Sequence, residues 1–104
     1  MENNFSPMSE TAYYILLSLL EERHGYGIMQ YVASITSNRI NIGAGTIYGT
    51  LGKLEKGKMI ITTREEDKRK YYQITDEGKE VLQIEIKRLE ELYQNGMEAL
   101  NHEK

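Results

Sequence analysis

The amino-acid sequence predicts a mainly α (α+β) domain, and three observations support this prediction. Apolar residues recur at helical spacing in three short segments of the first half of the chain. Two runs rich in β-branched and aromatic residues follow, on either side of a charged loop. One long helical pattern occupies the rest. A chain of 104 residues fits a single domain of this kind.

The first helix is predicted over residues 9–23, with Ser6 or Ser9 as its N-cap. Its apolar residues lie on more than one side, so this helix must be covered on two faces. Gly25 is expected to adopt the left-handed conformation that ends a helix. A second helix is then predicted over residues 26–37.

The third helix is predicted to begin at Gly45 or Thr46 and to be closed by Gly57. A connection over residues 38–45 precedes it, in which Ile40 and Ile42 are placed for a short strand. The helix has one apolar face, since i, i+4 and i+7 spacing places three side chains together. These side chains are Ile47, Leu51 and Leu54. The other positions are polar, small or aromatic.

A β-hairpin is predicted from residues 59–64 and 70–75, which flank a charged segment over residues 65–69. Because this segment has neither glycine nor an Asn-Gly pair, we expect a loop longer than two residues, and mobile. In the second strand, Tyr72 and Ile74 share one face.

The last helix is predicted to begin after Thr75 as its N-cap, with Asp76 and Glu77 in its first turn. Its apolar residues follow at spacings of four and three and therefore form one continuous stripe. The stripe consists of Leu82, Ile86, Leu89, Tyr93, Met97 and Leu100. No predicted element follows this stripe to cover it.

Helix, helix, helix, hairpin, helix is the order of a winged helix-turn-helix domain with a two-stranded wing. We expect residues 1–75 to form this DNA-binding domain and residues 76–104 to form a dimerisation helix, packed as one compact unit. The major groove is about 12 Å wide and admits one helix, so the reading helix needs a narrow or polar face. The residues predicted to contact double-stranded DNA are Thr46, Tyr48, Gly49, Thr50 and Lys53 of the third helix and Lys68, Arg69 and Lys70 of the wing tip.

The distribution of charge favours the same interpretation, although the net charge is −3. Residues 1–38 carry a charge of −3 (one basic and four acidic), residues 39–70 carry +4 (eight and four), and residues 71–104 carry −4 (four and eight). A basic middle between acidic ends indicates a local surface that faces DNA.

Composition argues against several other classes of function. With no cysteine and only two histidines, the chain has no set of residues for a disulfide or a metal site, and we expect no cofactor. No nucleophile and base stand out, so we predict no catalytic residue and no enzyme. The N-terminus lacks the basic region of a signal peptide, and the longest apolar run, residues 13–20, is too short to cross a bilayer. We therefore expect a cytoplasmic protein that does not contact a membrane.

Apolar surface that one small domain cannot cover predicts a homodimer. Each fully buried Leu or Ile is worth roughly 1.5–3 kcal/mol, and packing the last helix of one subunit on the first helix of another covers both surfaces. The predicted interface consists of Tyr13, Leu16, Leu17, Leu20, Leu82, Ile86, Leu89, Tyr93 and Met97. A cavity at this seam, lined by Tyr13, Tyr14 and Tyr93, is the place predicted for a small apolar or aromatic inducer. The alternative is a packed seam without a pocket.

Three segments, in this order, resemble the PadR family of transcriptional regulators. They are residues 24–28 (HGYGI), 45–57 (GTIYGTLGKLEKG) and 69–78 (RKYYQITDEG), and the resemblance covers roughly residues 9–95. It implies a winged-helix repressor that reads DNA with its third helix and contacts phosphates with its wing. It also implies dimerisation through one C-terminal helix, as in the small subfamily, and release from the operator by a small molecule or a stress signal.

A winged-helix module that binds protein instead of DNA is the alternative. The fold alone does not distinguish the two. The segregation of Lys68, Arg69 and Lys70 with Lys53 and Lys56 in an otherwise acidic chain favours DNA.

Overall fold

Four helices and three short strands make up the computed structural model, which describes residues 6–103. In chain order they are α1 (Glu10–Ser18), β1 (Arg23–His24), α2 (Gly25–Ile35), α3 (Ala44–Lys56), β2 (Ile60–Glu66), β3 (Arg69–Ile74) and α4 (Asp76–His102). The strands form one antiparallel sheet in the order β1-β3-β2. This arrangement confirms the winged-helix prediction and adds β1 to the expected two-stranded wing.

Helix α1 is shorter than the sequence predicted, since it ends at Ser18 and not at residue 23. Ser9 is its N-cap, and its side chain accepts a hydrogen bond from the backbone N–H of Ala12. At the other end, the carbonyl of Leu19 accepts a hydrogen bond from the N–H of Ile74 in β3. The chain therefore leaves the helix after Ser18 because the next carbonyl is used by the sheet.

The prediction that Gly25 ends the first helix in a left-handed conformation is wrong. Gly25 is buried, it is the first residue of α2, and no glycine of residues 6–103 has a positive φ. The N-cap of α2 is His24, whose Nδ1 accepts a hydrogen bond from the N–H of Gly27 at 3.0 Å. A histidine ring thus takes the capping role that Ser, Thr, Asp or Asn usually has.

Between α2 and α3 the predicted strand is absent: residues 40–43 have no regular secondary structure. Ile42 is nevertheless buried in the core and Ile40 packs against it, so the apolar pair serves packing without a sheet partner. Helix α3 then buries Ile47, Leu51 and Leu54, as its spacing predicted. It ends at Gly57, and the left-handed residue that follows is Lys58, with φ 65°.

The wing is a tighter hairpin than the sequence predicted. Strands β2 and β3 are joined by the two-residue turn Asp67-Lys68, in which both residues have positive φ (54° and 65°). Positive φ at both central positions is the geometry of a type I′ turn, which matches the twist of a hairpin and usually selects Asn-Gly. The expectation of a longer loop is wrong because Asp and Lys adopt the required conformation here without glycine.

Helix α4 contributes only its first three turns to the core. Thr75 caps it, accepting a hydrogen bond from the N–H of Gly78 at 3.0 Å. Gly78, Val81, Leu82 and Glu85 are buried, whereas every residue from Leu89 to Glu103 is exposed. The shared core consists of Ile15, Leu16, Leu19, Ile28, Val32, Ile42, Ile47, Leu51, Leu54, Ile60, Tyr72, Ile74, Val81 and Leu82.

Candidate nucleic-acid interface

A groove of about 410 Å³ lies between the wing and the first turns of α2 and α3. We call it the wing groove, and it is lined by His24, Gly25, Tyr26, Tyr48, Glu65, Lys68, Arg69, Lys70 and Tyr72. Four of the residues predicted to contact DNA meet here: Tyr48 from α3 and the three wing cations Lys68, Arg69 and Lys70. Two elements separated in sequence thus present one continuous surface.

The other predicted DNA contacts lie on α3 outside the wing groove. Thr46, Gly49 and Lys53 are exposed and Thr50 is half-buried. Their spacing of three and four residues places them on one side of the helix, away from Ile47, Leu51 and Leu54. A Cβ added to Gly49 would have no neighbour within 4 Å, so this side offers a smooth, narrow surface.

The three wing cations are not neutralised by the protein. Within residues 6–103, the salt bridges involve neither Lys68 nor Arg69 nor Lys70. Glu65 is the one acidic residue among those that line the wing groove, which leaves a formal charge of +2 there with His24 neutral. An excess of unpaired positive charge in a concave surface attracts a polyanion.

Arg64, at the base of the wing, differs from these cations because it is fully engaged. Its Nε donates to Glu22 at 3.0 Å, it also pairs with Glu66, and its guanidinium lies 3.8 Å from the ring centre of Tyr71. Hydrogen bonds from Thr63 and Arg64 hold the pKa of Glu22 below its usual range. These contacts tie the segment before β1 to β2, so Arg64 has a structural role here.

Five residues of the wing groove were not identified from the sequence as parts of the site: Glu65 and Tyr72 of the wing, and His24, Gly25 and Tyr26 at the start of α2. Gly25 lies beneath Tyr48, and a Cβ at position 25 would come within 2.6 Å of the Tyr48 hydroxyl. The residue must therefore be glycine for Tyr48 to lie where it does. The signal in the sequence was the segment His24-Gly25-Tyr26-Gly27, which is part of the family resemblance, but its glycine was interpreted as the end of a helix.

The residues predicted for the dimer interface divide into three groups by exposure. Leu16 and Leu82 are buried in the core of their own chain, at 0% and 4% exposure, so they have almost no surface left to offer to a partner. Tyr13 and Leu17 are half-buried. Five of the predicted apolar side chains are at least 40% exposed, namely Leu20, Ile86, Leu89, Tyr93 and Met97, and Leu100 continues the exposed stripe on α4.

A second, smaller pocket of about 190 Å³ lies between α1 and α4. We call it the α1–α4 pocket, and it is lined by Met8, Glu10, Tyr13, Tyr14, Glu85, Arg88 and Leu89. The rings of Tyr13 and Tyr14 are edge to face, with centres 5.6 Å apart. Tyr93, the third residue predicted for a cavity at the seam between subunits, does not line this pocket of the single chain, since it lies one turn beyond Leu89 and is 63% exposed.

Glu85 is a fully buried carboxylate at the back of this pocket. It accepts hydrogen bonds from the backbone N–H of Met8 at 2.9 Å and from Nε of Arg88 at 2.6 Å. Burial by itself raises the pKa of Glu85, but the hydrogen bonds from Arg88, Ser6 and Met8 outweigh it and hold the pKa below its usual range. Through the hydrogen bond from Met8, Glu85 connects the N-terminal segment to α4.

No helix within residues 6–103 combines the length and the apolar character needed to cross a membrane.

Comparison with known proteins identifies relatives of this chain. Residues 8–84 match the family described as transcriptional regulator PadR-like family. A protein of Lysinibacillus sphaericus, described as "Uncharacterized protein X", is 34% identical over 92 residues, which span 79% of this chain and 84% of the relative.

Solved structures support the same relationship. A PadR family transcriptional regulator from Eggerthella lenta shares 27% identity at a TM-score of 0.71, over 90% of this chain and 83% of the other. A PadR-like regulator from Bacillus cereus has the same identity and TM-score, over 86% and 90%. The RosR protein of H. salinarum, at 16% identity and a TM-score of 0.69 over 92% and 99%, is similar in fold.

Proposed function

The chain belongs to the PadR-like family of transcriptional regulators, which are not enzymes, and from this premise we propose that it is a dimeric repressor. It binds a palindromic operator in double-stranded DNA with α3 and the wing, and a small molecule or a stress signal releases it. The observation that carries this proposal is the wing groove, in which three unpaired wing cations flank Tyr48 of the reading helix.

Phosphate contacts supply most of the affinity for DNA, and the wing cations are suited to make them. Lys68, Arg69 and Lys70 have no acidic partner among the described residues, so binding DNA costs no internal ion pair. Each phosphate neutralised releases condensed counterions, and this release makes the affinity fall as salt rises. Tyr48 is 57% exposed and its hydroxyl is free to add a further phosphate contact.

Sequence is read by the side of α3 that carries Thr46, Gly49, Thr50 and Lys53. Threonine hydroxyls and a lysine ammonium can bond base edges in the major groove, and a glycine allows the backbone to approach them closely. The open space around Gly49 supports this role, because no atom of residues 6–103 beyond its own helix lies within 4 Å of a Cβ at this position.

A homodimer explains the exposed stripe on α4. Leu89, Tyr93, Met97 and Leu100 remain between 40% and 63% exposed in a single chain, which is unusual for side chains of this size in a series along one helix face. Packing this stripe on α1 of a partner and on Leu20, which is exposed just after α1, covers both surfaces. A two-fold axis then presents two reading helices to successive turns of DNA, about 34–36 Å apart.

The α1–α4 pocket is the place where we expect an inducer. At about 190 Å³ it is smaller than most ligand sites, which measure roughly 300–1,000 Å³, so a second subunit would be needed to complete it. Tyr13 and Tyr14 offer aromatic surface to an apolar or aromatic molecule. Tyr93 contributes only from the dimer, since in a single chain it lies outside the pocket.

The test of DNA binding compares a wing variant with a matched control. The Lys68→Ala, Arg69→Ala, Lys70→Ala triple variant should bind every duplex more weakly and should lower the slope of log affinity against log salt by about three units. The control, Lys79→Ala with Lys87→Ala, removes two exposed cations of α4 and should retain the affinity. The duplex is the DNA upstream of the gene for this chain, measured by gel shift and fluorescence anisotropy. Unchanged binding by the wing variant at physiological salt contradicts the proposal.

A further inference from the structure

His24 has two ring nitrogens with different surroundings. Nδ1 accepts the hydrogen bond from the N–H of Gly27 at 3.0 Å, so it carries no proton. In the neutral ring the proton is therefore on Nε2. The Nη1 of Arg69 lies 3.3 Å from this Nε2. A guanidinium is always protonated and only donates, so both groups at this contact are donors and no hydrogen bond joins them.

Two N–H donors that converge without an acceptor leave a place for one. His24 and Arg69 both line the wing groove, and so do Lys68, Lys70 and Tyr48. Glu65 is the one carboxylate in this lining, and within residues 6–103 it forms no salt bridge with Arg69. An anion from outside the chain can supply this acceptor, and an oxygen shared by Nε2–H and a guanidinium fits a phosphate.

We propose that His24 and Arg69 together bind one phosphate of the DNA backbone in the wing groove. This inference rests on the proposed function and adds to it a contact from the N-cap of α2, an element to which no DNA contact had been assigned. The Tyr71 ring, whose centre lies 5.1 Å from that of the His24 ring in an edge-to-face arrangement, and the pairing of β1 with β3 hold the imidazole in place. His24 thus has a structural role through Nδ1 and a binding role through Nε2.

The two roles separate in the variant His24→Asn. An asparagine Oδ1 is a good N-cap acceptor, so the hydrogen bond from Gly27 is retained, but nothing replaces Nε2–H. Because a hydrogen bond to a charged acceptor is lost, the affinity for DNA should fall about 10-fold or more. Circular dichroism and thermal unfolding should match those of the unsubstituted protein.

The deciding experiment replaces the backbone phosphates of the operator duplex, one at a time, by neutral methylphosphonates. One methylphosphonate substitution should lower the affinity of the unsubstituted protein. The same substitution should lower the affinity of His24→Asn and of Arg69→Gln by a smaller factor. Lys53→Ala removes a cation outside the wing groove, so replacing that phosphate should lower its affinity by the same factor as for the unsubstituted protein. The effects of His24→Asn and Arg69→Gln should also be less than multiplicative in the double variant, because both act on one phosphate.

Each result decides for or against the inference. If each methylphosphonate lowers the affinity of His24→Asn by the same factor as that of the unsubstituted protein, His24 does not contact a phosphate. If His24→Asn fails to fold, the same comparison is made with Arg69→Gln, which changes an exposed side chain. A His24 ring that responds by NMR to millimolar inorganic phosphate while the methylphosphonate scan stays flat means that the groove takes a free anion, which overturns the DNA assignment. No binding of any duplex by the unsubstituted protein refutes the proposed function itself.

Discussion

Single residues set the geometry of the wing groove, and Gly25 shows how. Its lack of a side chain allows the Tyr48 hydroxyl to lie over the first turn of α2, at a place that a Cβ would approach to 2.6 Å. Gly25 is the first residue of α2, so it does not carry the cost of a glycine in a helix interior. The close contact that the proposed interface needs thus falls where glycine is well tolerated.

Gly25→Ala should therefore weaken DNA binding without unfolding the protein. The new methyl group pushes Tyr48 outward, since the hydroxyl is the free end of a side chain that is 57% exposed. Loss of one hydrogen bond to a phosphate is worth about 1.5–3 kcal/mol, or about 10- to 150-fold in affinity. The matched control is Gly27→Ala, whose Cβ would meet the His24 ring at an ordinary 3.6 Å. Equal affinities of the two variants, measured by anisotropy, would show that Tyr48 does not contact DNA.

Glu85 is a fully buried charged residue, so its charge is expected to affect stability. Because its pKa is lowered in the folded chain, its contribution is fully present above the pKa of an unfolded glutamate, about 4.3. The contribution is lost as the pH falls from there through the lower, folded pKa. Glutamine at this position keeps an acceptor for Met8 but removes the charge that faces Arg88.

We expect Glu85→Gln to lower the free energy of unfolding at pH 7 by about 1–2 kcal/mol. The difference from the unsubstituted protein should shrink as the pH falls below about 4.3. Urea unfolding at a series of pH values measures this. Glu91→Gln removes a carboxylate from the exposed part of the same helix and should change the stability at pH 7 very little. A difference for Glu85→Gln that persists undiminished at low pH would mean that packing, and not charge, accounts for it.

Two lysines adopt the left-handed backbone conformation, one in the wing turn and one just after α3. Lys68 closes the wing turn and Lys58 follows the C-cap of α3, each with φ 65°. The N–H of Lys58 donates a hydrogen bond to the carbonyl of Glu55, and the N–H of Met59 donates to that of Leu54. These two hydrogen bonds complete a Schellman motif at the end of α3. A non-glycine residue in this conformation costs on the order of 1 kcal/mol.

Replacing either lysine by glycine should raise the stability by about 1 kcal/mol, but only one replacement should affect DNA. Lys68→Gly removes a cation from the wing groove, so the salt slope of DNA binding should fall by about one unit. Lys58→Gly lies outside the lining of the wing groove and should leave the slope unchanged. Thermal unfolding and anisotropy at several salt concentrations measure the two effects. A Lys68→Gly variant with an unaltered slope would exclude Lys68 from phosphate contact.

Elements were predictable from the sequence where one periodic signal decided them. The apolar spacing of α3 and the long stripe of α4 placed both helices to within a residue or two. The end of α1 and the strand β1 were not predictable, because they depend on the Leu19 carbonyl meeting the N–H of Ile74, a contact between distant parts of the chain. The wing turn was missed because local residue preference favours glycine there, whereas the hairpin imposes positive φ on Asp67 and Lys68.

The candidate site was predictable from the sequence only in part. Lys68, Arg69, Lys70 and Tyr48 were identified from charge and position, and the structure brings them together. His24 was not, because its importance comes from which ring nitrogen faces Gly27 and which faces Arg69. Such an assignment needs coordinates, since the sequence specifies a histidine but not its tautomer.

The whole molecule is 59 Å long, and α4 carries seven of the twelve exposed large apolar side chains of residues 6–103. Its first three turns belong to the core, and from Leu89 onward it projects beyond the domain. A projecting helix of this length gains little from its own chain, because isolated helices are marginal in water and depend on tertiary packing. The proposed dimer supplies that packing on the side of the stripe and leaves the opposite side in solvent.

Leu89→Glu should therefore dissociate the dimer and weaken operator binding together. Leu89 is 40% exposed, lies at the edge of the α1–α4 pocket and stands on the stripe that α1 of a partner would cover, so a charge there would be buried without a partner. The matched control is Ile84→Glu, because Ile84 is 51% exposed but lies on the other side of α4 from Leu82 and Leu89. Sedimentation velocity at micromolar concentration should show a dimer for the unsubstituted protein and for Ile84→Glu, and a folded monomer for Leu89→Glu. A monomeric unsubstituted protein refutes the assembly, and a dimer that survives Leu89→Glu but not Ile84→Glu places the interface on the opposite face of the helix.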